Sequence, residues 1–516
     1  MASSTAVTPT TSAASSSTTP NDPEKRGRAD SPTMLEDLRH LHTRDLARHL
    51  FQRHALDAWT YSTLGLSTLG TFMVARGVHE PTFFSFAYGF AASEMPQLAV
   101  AWQAFSVGAT YVFNPSVFRT WFGKLLLAMQ AYSLCVFVRA WLVMMTRSRG
   151  DYARALRAAD VPVRDVPLAS ALATLLPVLY VARHGKPLSV HRDLRYADVR
   201  VVDPRLAARW ARTPSRLKMI NVLALRGRMS AWNSLDVTVL DPPPPPGAPV
   251  LLYVHGGGWL AGEKAFASLP WLQGVAARGV VVVSANYRMS PEVVFPEHVI
   301  DCKRALLWVK RNIRSFNGDP GNVYVSGESA GGHLSALMAV TANYGPFQPP
   351  EDPSGDTSVQ GALPHCGVYD WCDSSGHLRN MRTTLLDMEV GLRPFVSRVV
   401  IQKRFADAKP EFEAASPTWH LRRIVATNDA AAARAVPPML VQHGDHDALT
   451  SIEDALEFFD TLRAMRRHFA SPVRDAFARV AEGKHAFGYF VSPRQLAQSE
   501  ATVDFIMHHA GRAPAL

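Results

Sequence analysis

Ser329 lies in Gly327-Glu328-Ser329-Ala330-Gly331, after the apolar run Val323-Tyr324-Val325 and before a helical-looking stretch from Gly332 to Val340. A G-x-S-x-G pattern between a strand and a helix is the signature of a sharp turn that holds a serine hydroxyl outward. A hydroxyl is a poor nucleophile at neutral pH. It needs a base to take its proton and an acid to orient that base.

The candidate partners lie C-terminal to the serine. The predicted strand Met439 to Gln442 runs into His443-Gly444-Asp445-His446-Asp447, which offers two carboxylates, Asp447 and Asp445. The residues alone leave both open. The expected base is His485, in Gly483-Lys484-His485-Ala486-Phe487-Gly488, a glycine-flanked loop after the last predicted strand. His468, His508 and His509 fall on predicted helices, and His443 sits at a strand end. The run His255-Gly256-Gly257-Gly258-Trp259 follows the predicted strand Val250 to Val254. Adjacent glycines let bare backbone N–H groups face a developing oxyanion, with Ala330 N–H as a further donor. Such a site uses neither metal nor organic cofactor. No H-E-x-x-H occurs, and no cysteine pair among Cys135, Cys302, Cys366 and Cys372 has C-x-x-C spacing.

The elements that must carry these groups read as strands alternating with helices from Val250 onward. Expected strands are Val250 to Val254, Val280 to Ser284, Val323 to Ser326, Leu363 to Val368, Pro438 to Gln442 and Ala476 to Val480. Expected helices are Val299 to Phe316, one from Ala330, and one after Pro493. Continuous apolar strands with amphipathic helices predict an α/β domain, a mostly parallel sheet covered on both faces. The prolines from Pro242 to Pro246 read as a stiff surface hairpin connection.

The motifs together resemble the α/β-hydrolase carboxylesterases of the hormone-sensitive-lipase type, and more narrowly a bacterial carboxylesterase/lipase branch. The likeness rests on His255 to Trp259, Gly327 to His333, Asn286-Tyr287-Arg288, Pro291, Phe295-Pro296-Glu297-His298, Asp301 to Leu306, Asn317-Gly318-Asp319-Pro320 and Tyr369-Asp370-Trp371. It implies an α/β-hydrolase fold over residues 235–512 and a serine ester hydrolase acting on an acyl ester or lipid. The implied roles are nucleophile Ser329, acid Asp447, base His485, and oxyanion donors Gly257, Gly258 and Ala330. His255 and Asn286 to Arg288 are implied supports. Two departures are visible: Glu328 stands where many relatives have Asp, and the acid loop reads Asp447-Ala448-Leu449-Thr450. An amidase or deacetylase would use the same groups, and a non-catalytic hydrolase-fold membrane protein is a further alternative.

Residues 1–200 lie outside that resemblance. Residues 1–34 begin with a Ser/Thr/Ala/Pro-rich stretch that reads as a disordered tail without a signal-peptide pattern. Within residues 35–183, the runs Ala58 to Ala75 and Met95 to Phe113 carry no charge. Leu125 to Met145 carries only Arg139, and Leu168 to Ala182 none. These predict membrane-embedded or membrane-associated helices. Residues 184–234 read as a basic linker. Between Arg147 and Arg228 there are 17 Lys/Arg and 6 Asp/Glu, which accounts for the chain's net +10. A basic block beside apolar helices suits anionic headgroups rather than nucleic acid. The expected location is therefore a membrane. His191-Arg192-Asp193-Leu194 matches a kinase motif in isolation, with none of its companions. An insertion between Trp371 and Pro417, carrying Leu392, Phe395, Val399, Val400, Ile401 and Phe405, reads as a lid or an ordinary surface helix.

Overall fold

A computed structural model describes residues 55–65, 94–164, 170, 172, 186–198, 232–265, 270–378, 382–385 and 388–512. The expected disordered tail, most of the Ala58 to Ala75 and Leu168 to Ala182 runs, and most of the basic linker lie outside them.

Apolar alternation and β-branched runs build an eight-stranded sheet. Its strands are β1 (Leu188–Arg195), β2 (Ser234–Leu240), β3 (Ala248–Val254), β4 (Val281–Ala285), β5 (Gly318–Glu328), β6 (Gly361–His365), β9 (Leu440–Gly444) and β10 (Ala476–Val480). A separate antiparallel hairpin, β7 (Arg382–Leu385) and β8 (Met388–Gly391), lies in the Trp371 to Pro417 insertion. The main order is β1-β2-β4-β3-β5-β6-β9-β10. The β1–β2 and β2–β4 pairs are antiparallel, and the rest are parallel. Because β3 pairs with β4 and β5, β2 and β3 are not neighbours. The proline run is therefore a crossover connection, not the expected hairpin. β6 stops at His365, short of the expected Val368, because Cys366 takes a left-handed φ of 48° that breaks the ladder.

The helices are α1 (Pro96–Phe113), α2 (Trp121–Ala158), α3 (Pro270–Ala276), α4 (Glu297–Asn312), α5 (Ala330–Val340), α6 (Pro417–Ala426), α7 (Ile452–His468) and α8 (Pro493–His509), with several shorter turns between them. One face of the sheet packs on α4, α5, α6 and α7 through Val299, Leu306, Leu334, Leu337, Leu421 and Phe458. The other packs on α3, α8 and the end of α2 through Trp271, Val275, Val503, Phe505, Tyr152 and Leu156. The result is an α/β-hydrolase fold. β1 arises within residues 184–234 and the docked end of α2 within 35–183. The sheet and its cover thus draw on chain before residue 235. β1 also absorbs the kinase-like motif: Lys264 Nζ bonds Asp193 and Asp236 at 2.8 and 2.5 Å, tying β1 to β2.

The first two thirds of α2 pair with α1 in an unusual way. Residues buried on α1 include Gln97, Gln103, Ser106 and Thr110. Those on α2 include Gly123, Gln130 and Ser133. Gln130 Nε2 donates to the Leu64 carbonyl at 2.7 Å, and Gln103 Nε2 meets Ser133 Oγ. The large side chains face outward: Trp102 is 52% exposed, Phe105 61%, Trp121 77% and Tyr132 63%. Polar inside and apolar outside inverts the pattern of a water-soluble helix pair.

Candidate active site

β5 delivers Ser329 to the sharp turn before α5. Its backbone sits at φ 55°, ψ −119°, a strained conformation for a non-glycine residue. Ser329 N–H is anchored to the His365 carbonyl at 2.9 Å. The turn needs its glycines. A Cβ on Gly331 would stand 2.0 Å from the Val254 carbonyl oxygen, and one on Gly327 2.4 Å from that same atom. Ser329 itself is partly exposed, whereas its neighbours are buried.

The glycine run after β3 lies against this elbow. A Cβ built on Gly256 would be 3.2 Å from Ser329 Cβ. Gly257 and Gly258 have φ of +113° and +62°, and among the described residues their N–H groups meet no acceptor. The Gly257 carbonyl is spent on Leu260 and Ala261 N–H at 3.1 and 3.0 Å. The first bond of α5 runs from His333 N–H to the Ser329 carbonyl, so Ala330 N–H is one of the unpaired donors of a helix start. Three bare amides thus lie on the two segments that meet at this elbow. Beneath them, His255 stacks on Tyr287 with centroids 4.5 Å apart, and Tyr287 Oη donates to the His255 carbonyl at 3.1 Å. Burial lowers His255 to about 4, so it is neutral and donates from Nδ1 to the Gly256 carbonyl at 2.8 Å. Arg288 locks the next loop through Asp301 with bonds of 2.8 Å from both Nε and Nη2.

His485 and Asp447 meet at the ends of β10 and β9. A carboxylate can only accept, so His485 Nδ1–H donates to Asp447 Oδ2, at 2.8 Å, and Nε2 is left free of that bond. Asp445 points elsewhere: it accepts from Glu482 N–H at 2.6 Å. The Asp447 carboxylate is fully buried. Burial alone would raise its pKa, but His485, His443 and the Thr450 N–H outweigh that and hold it below the usual carboxylate range. Its Oδ1 accepts from Leu449 and Thr450 N–H at 2.8 and 2.9 Å. Gly444 and Gly483 let the two loops touch, since a Cβ on Gly444 would fall 2.1 Å from the Gly483 oxygen.

Several neighbours carry no local sequence signal. Thr450 Oγ1 lies 2.9 Å from Asp447 Oδ2 and 3.1 Å from the Cys366 carbonyl. The Cys366 thiol shares a space with Asp447 and His485 in which their donor atoms lie within 4.8 Å of one another. Since Cys366 follows the residue that holds Ser329 N–H, the elbow and the Asp447–His485 pair abut the same β6 end. Tyr489 donates to Glu328 Oε1, and burial raises the Glu328 carboxyl to about 8. From the insertion, Phe395 reaches 3.7 Å from where a Gly258 Cβ would stand. Val396, Val400 and Ile401 are buried in the main core.

Residues 240–462 match the family model BD-FAE. The chain is 36% identical over 272 residues to the probable carboxylic ester hydrolase LipM of Mycobacterium tuberculosis, covering 52% of this chain and 57% of LipM. It is 38% identical over 234 residues to esterase LipC of the same organism, covering 45% and 53%. Over this segment the chain is similar to curated carboxylic ester hydrolases. The chain spans about half the length of the curated relatives it matches. Isoprenylcysteine alpha-carbonyl methylesterase ICME of Arabidopsis thaliana is 27% identical over 217 residues, covering 42% of this chain and 47% of ICME. A solved carbohydrate esterase from gut microbiota is 17% identical with a TM-score of 0.46, covering 64% of this chain and 99% of its own. Within the matched segment, the Gly327 to His333 motif is closely packed. Burial lowers His333 to about 3, so its neutral ring accepts from Trp259 Nε1 at 3.3 Å and donates to the Ala415 carbonyl at 2.7 Å.

Proposed function

We propose that this protein is a serine carboxylic-ester hydrolase acting on lipophilic acyl esters, with Ser329 as nucleophile, His485 as base and Asp447 as its orienting acid. The observation that carries the reading is the convergence of the strained serine, two unpaired glycine amides and the Asp447–His485 pair on the ends of adjacent strands. In the reaction, Ser329 Oγ attacks the ester carbonyl while His485 Nε2 takes its proton. The resulting oxyanion is met by the N–H groups of Gly257, Gly258 and Ala330. Collapse breaks the C–O bond, and His485 returns the proton to the departing alcohol. Water, deprotonated by His485, then releases the acid and restores the serine. Phe395 and the apolar insertion beside Gly258 favour a greasy acyl group. Labelling by a fluorophosphonate probe in wild type and its loss in Ser329→Ala test the nucleophile. Hydrolysis of p-nitrophenyl esters of rising chain length tests the class, and turnover of amides but not esters would overturn it.

The domain boundaries above belong to the same proposal, as does membrane attachment through the α1–α2 hairpin. Among the described residues, α2 is long and apolar enough to cross a bilayer. Its inverted packing with α1 supports burial in lipid rather than in water. Arg139 bonds Glu482 of the hydrolase domain at 2.5 Å. Trp121, 18 residues earlier, then lies about 27 Å further along the helix axis, close to the ~30 Å hydrocarbon thickness. Retention in the membrane pellet after alkaline carbonate washing is expected, and release would overturn this part.

A further inference from the structure

Three polar groups from before the hydrolase domain converge on one short loop, the one that carries His485. Glu94, just ahead of α1, is fully buried and accepts two bonds from Arg494 Nη1, at 2.7 and 2.6 Å. The backbone N–H of Lys484, the residue before His485, also favours the charged form of its carboxyl. Arg494 is itself 2% exposed and donates from Nη2 to the Ala481 carbonyl at 3.1 Å, and its guanidinium lies 5.9 Å from the Phe487 ring centroid. On α2, Asp151 accepts from Ala481 N–H at 2.9 Å, and Arg139 bonds the Glu482 carboxylate. Tyr152, one residue on, donates to Gln442 at 3.0 Å on the strand that leads to Asp447.

We infer that Glu94 is a positioning residue for the catalytic histidine, so that the N-terminal helices form part of the catalytic apparatus as well as the attachment. The inference rests on the reading of His485 as the base. The physical reason is economy of freedom. The 481–487 segment is a loop with a left-handed residue at Ala486, φ 55°, and glycine at 483. Its backbone has few ladder bonds of its own. Arg494, held by Glu94, fixes the Ala481 carbonyl, and Asp151 fixes the Ala481 amide, which sets where the loop and its imidazole hang. A displacement of about 1 Å in such a group can cost about 100-fold in rate.

The test uses the full chain in detergent micelles. Glu94→Gln alone leaves Arg494 buried without its counter-charge and can unfold the protein. The deciding variant is therefore Glu94→Gln with Arg494→Gln, which removes both charges together. The expected result is a kcat lowered 10- to 100-fold with KM within about twofold. The pH–rate midpoint should shift, and the melting temperature should be retained. Amide hydrogen exchange at 481–486 should speed up in the same variant. A folded double variant with kcat within twofold of wild type and unchanged exchange would overturn the inference. Faster exchange without any rate change would overturn it too, since the brace would then be structural only. Failure of wild type to label at Ser329 is a different result. It removes the hydrolase reading, while the exchange measurement still reports whether Glu94 holds the loop.

Discussion

Tyr489 donates its hydroxyl hydrogen to the carboxyl of Glu328, joining the loop that carries His485 to the residue before Ser329. Glu328 is fully buried, and desolvation raises it to about 8 from an ordinary 4.5. It is therefore a neutral acid around pH 7.

That neutrality gives a stability prediction with a definite sign. Below pH 4.5 the carboxyl is protonated in both folded and unfolded chains. Between 4.5 and about 8 the unfolded chain releases the proton while the folded one keeps it, so this group's contribution falls as pH rises and levels off above 8. Glu328→Gln should match wild type in melting temperature near pH 5 and exceed it by a few degrees near pH 9. Calorimetry across that range checks it, and a difference that does not change with pH would refute it.

Removal of the proposed triad groups should graduate in severity. Ser329→Ala and His485→Ala are expected to lower kcat by about 10⁶-fold, and Asp447→Asn by about 10⁴-fold. Asp445→Asn should stay within a few-fold of wild type, because that carboxylate bonds Glu482 N–H rather than His485. Steady-state kinetics with a short-chain ester distinguish the two aspartates directly.

The two glycines of the proposed oxyanion site should respond differently to alanine. At Gly257 a Cβ would stand 2.0 Å from the Ala261 oxygen at φ +113°, so Gly257→Ala should displace the loop and cost at least ~100-fold in kcat. At Gly258 the nearest atom is the Phe395 ring at 3.7 Å, so Gly258→Ala should fold with a loss of about 1 kcal/mol from its left-handed backbone. Comparing thermal melts with kcat for the pair separates strain from lost hydrogen bonding.

Thr450→Val tests the support of the buried carboxylate. It deletes a hydroxyl 2.9 Å from Asp447 Oδ2 while keeping the side-chain volume. A hydrogen bond to a charged group is worth about 1.5–3 kcal/mol, so kcat should fall by roughly 10- to 100-fold if that energy is expressed in the imidazolium-like transition state. A twofold effect or less would show that the two backbone amides suffice.

Outward residues of the hairpin supply the lipid test. Trp102→Lys combined with Tyr132→Lys places charge on the exposed apolar face at a cost of about 2.5–3.5 kcal/mol each in hydrocarbon. The double variant should leave the carbonate-washed pellet while the α/β domain melts at its wild-type temperature. Unchanged retention would indicate that these side chains do not face lipid.

Much of the α/β half is legible locally because its information is local. A run such as Val281 to Val283 can be little else than a buried strand, and Ala476–Val480 coincides with its expected bounds. The glycines announce close backbone approaches that no other residue could make. The choice between Asp445 and Asp447 is not local. It depends on which way a turn faces after β9, and the residues alone leave it open. The pairing of Glu94 with Arg494, 400 positions apart, has no periodicity to read. Nor does the capture of β1 by β2 from inside a stretch whose dominant signal is positive charge. The inverted face of α1 is partly visible, since Gln97, Gln103, Ser106 and Thr110 interrupt an otherwise apolar run. Only the position of α2 reveals that these residues point at a neighbour.

The last turns of α2 and the segment after it put Tyr152, Leu156 and Val161 over Leu251, Tyr253 and Val282 of the sheet. Excising the matched segment alone, for example by starting expression at residue 235, would strip that part of the covering and expose aliphatic sheet surface beside α3 and α8. Such a fragment should precipitate however intact its serine and histidine are. A usable minimal protein has to begin upstream of α2, even if the lipid-facing part of that helix is recoded to be water-compatible.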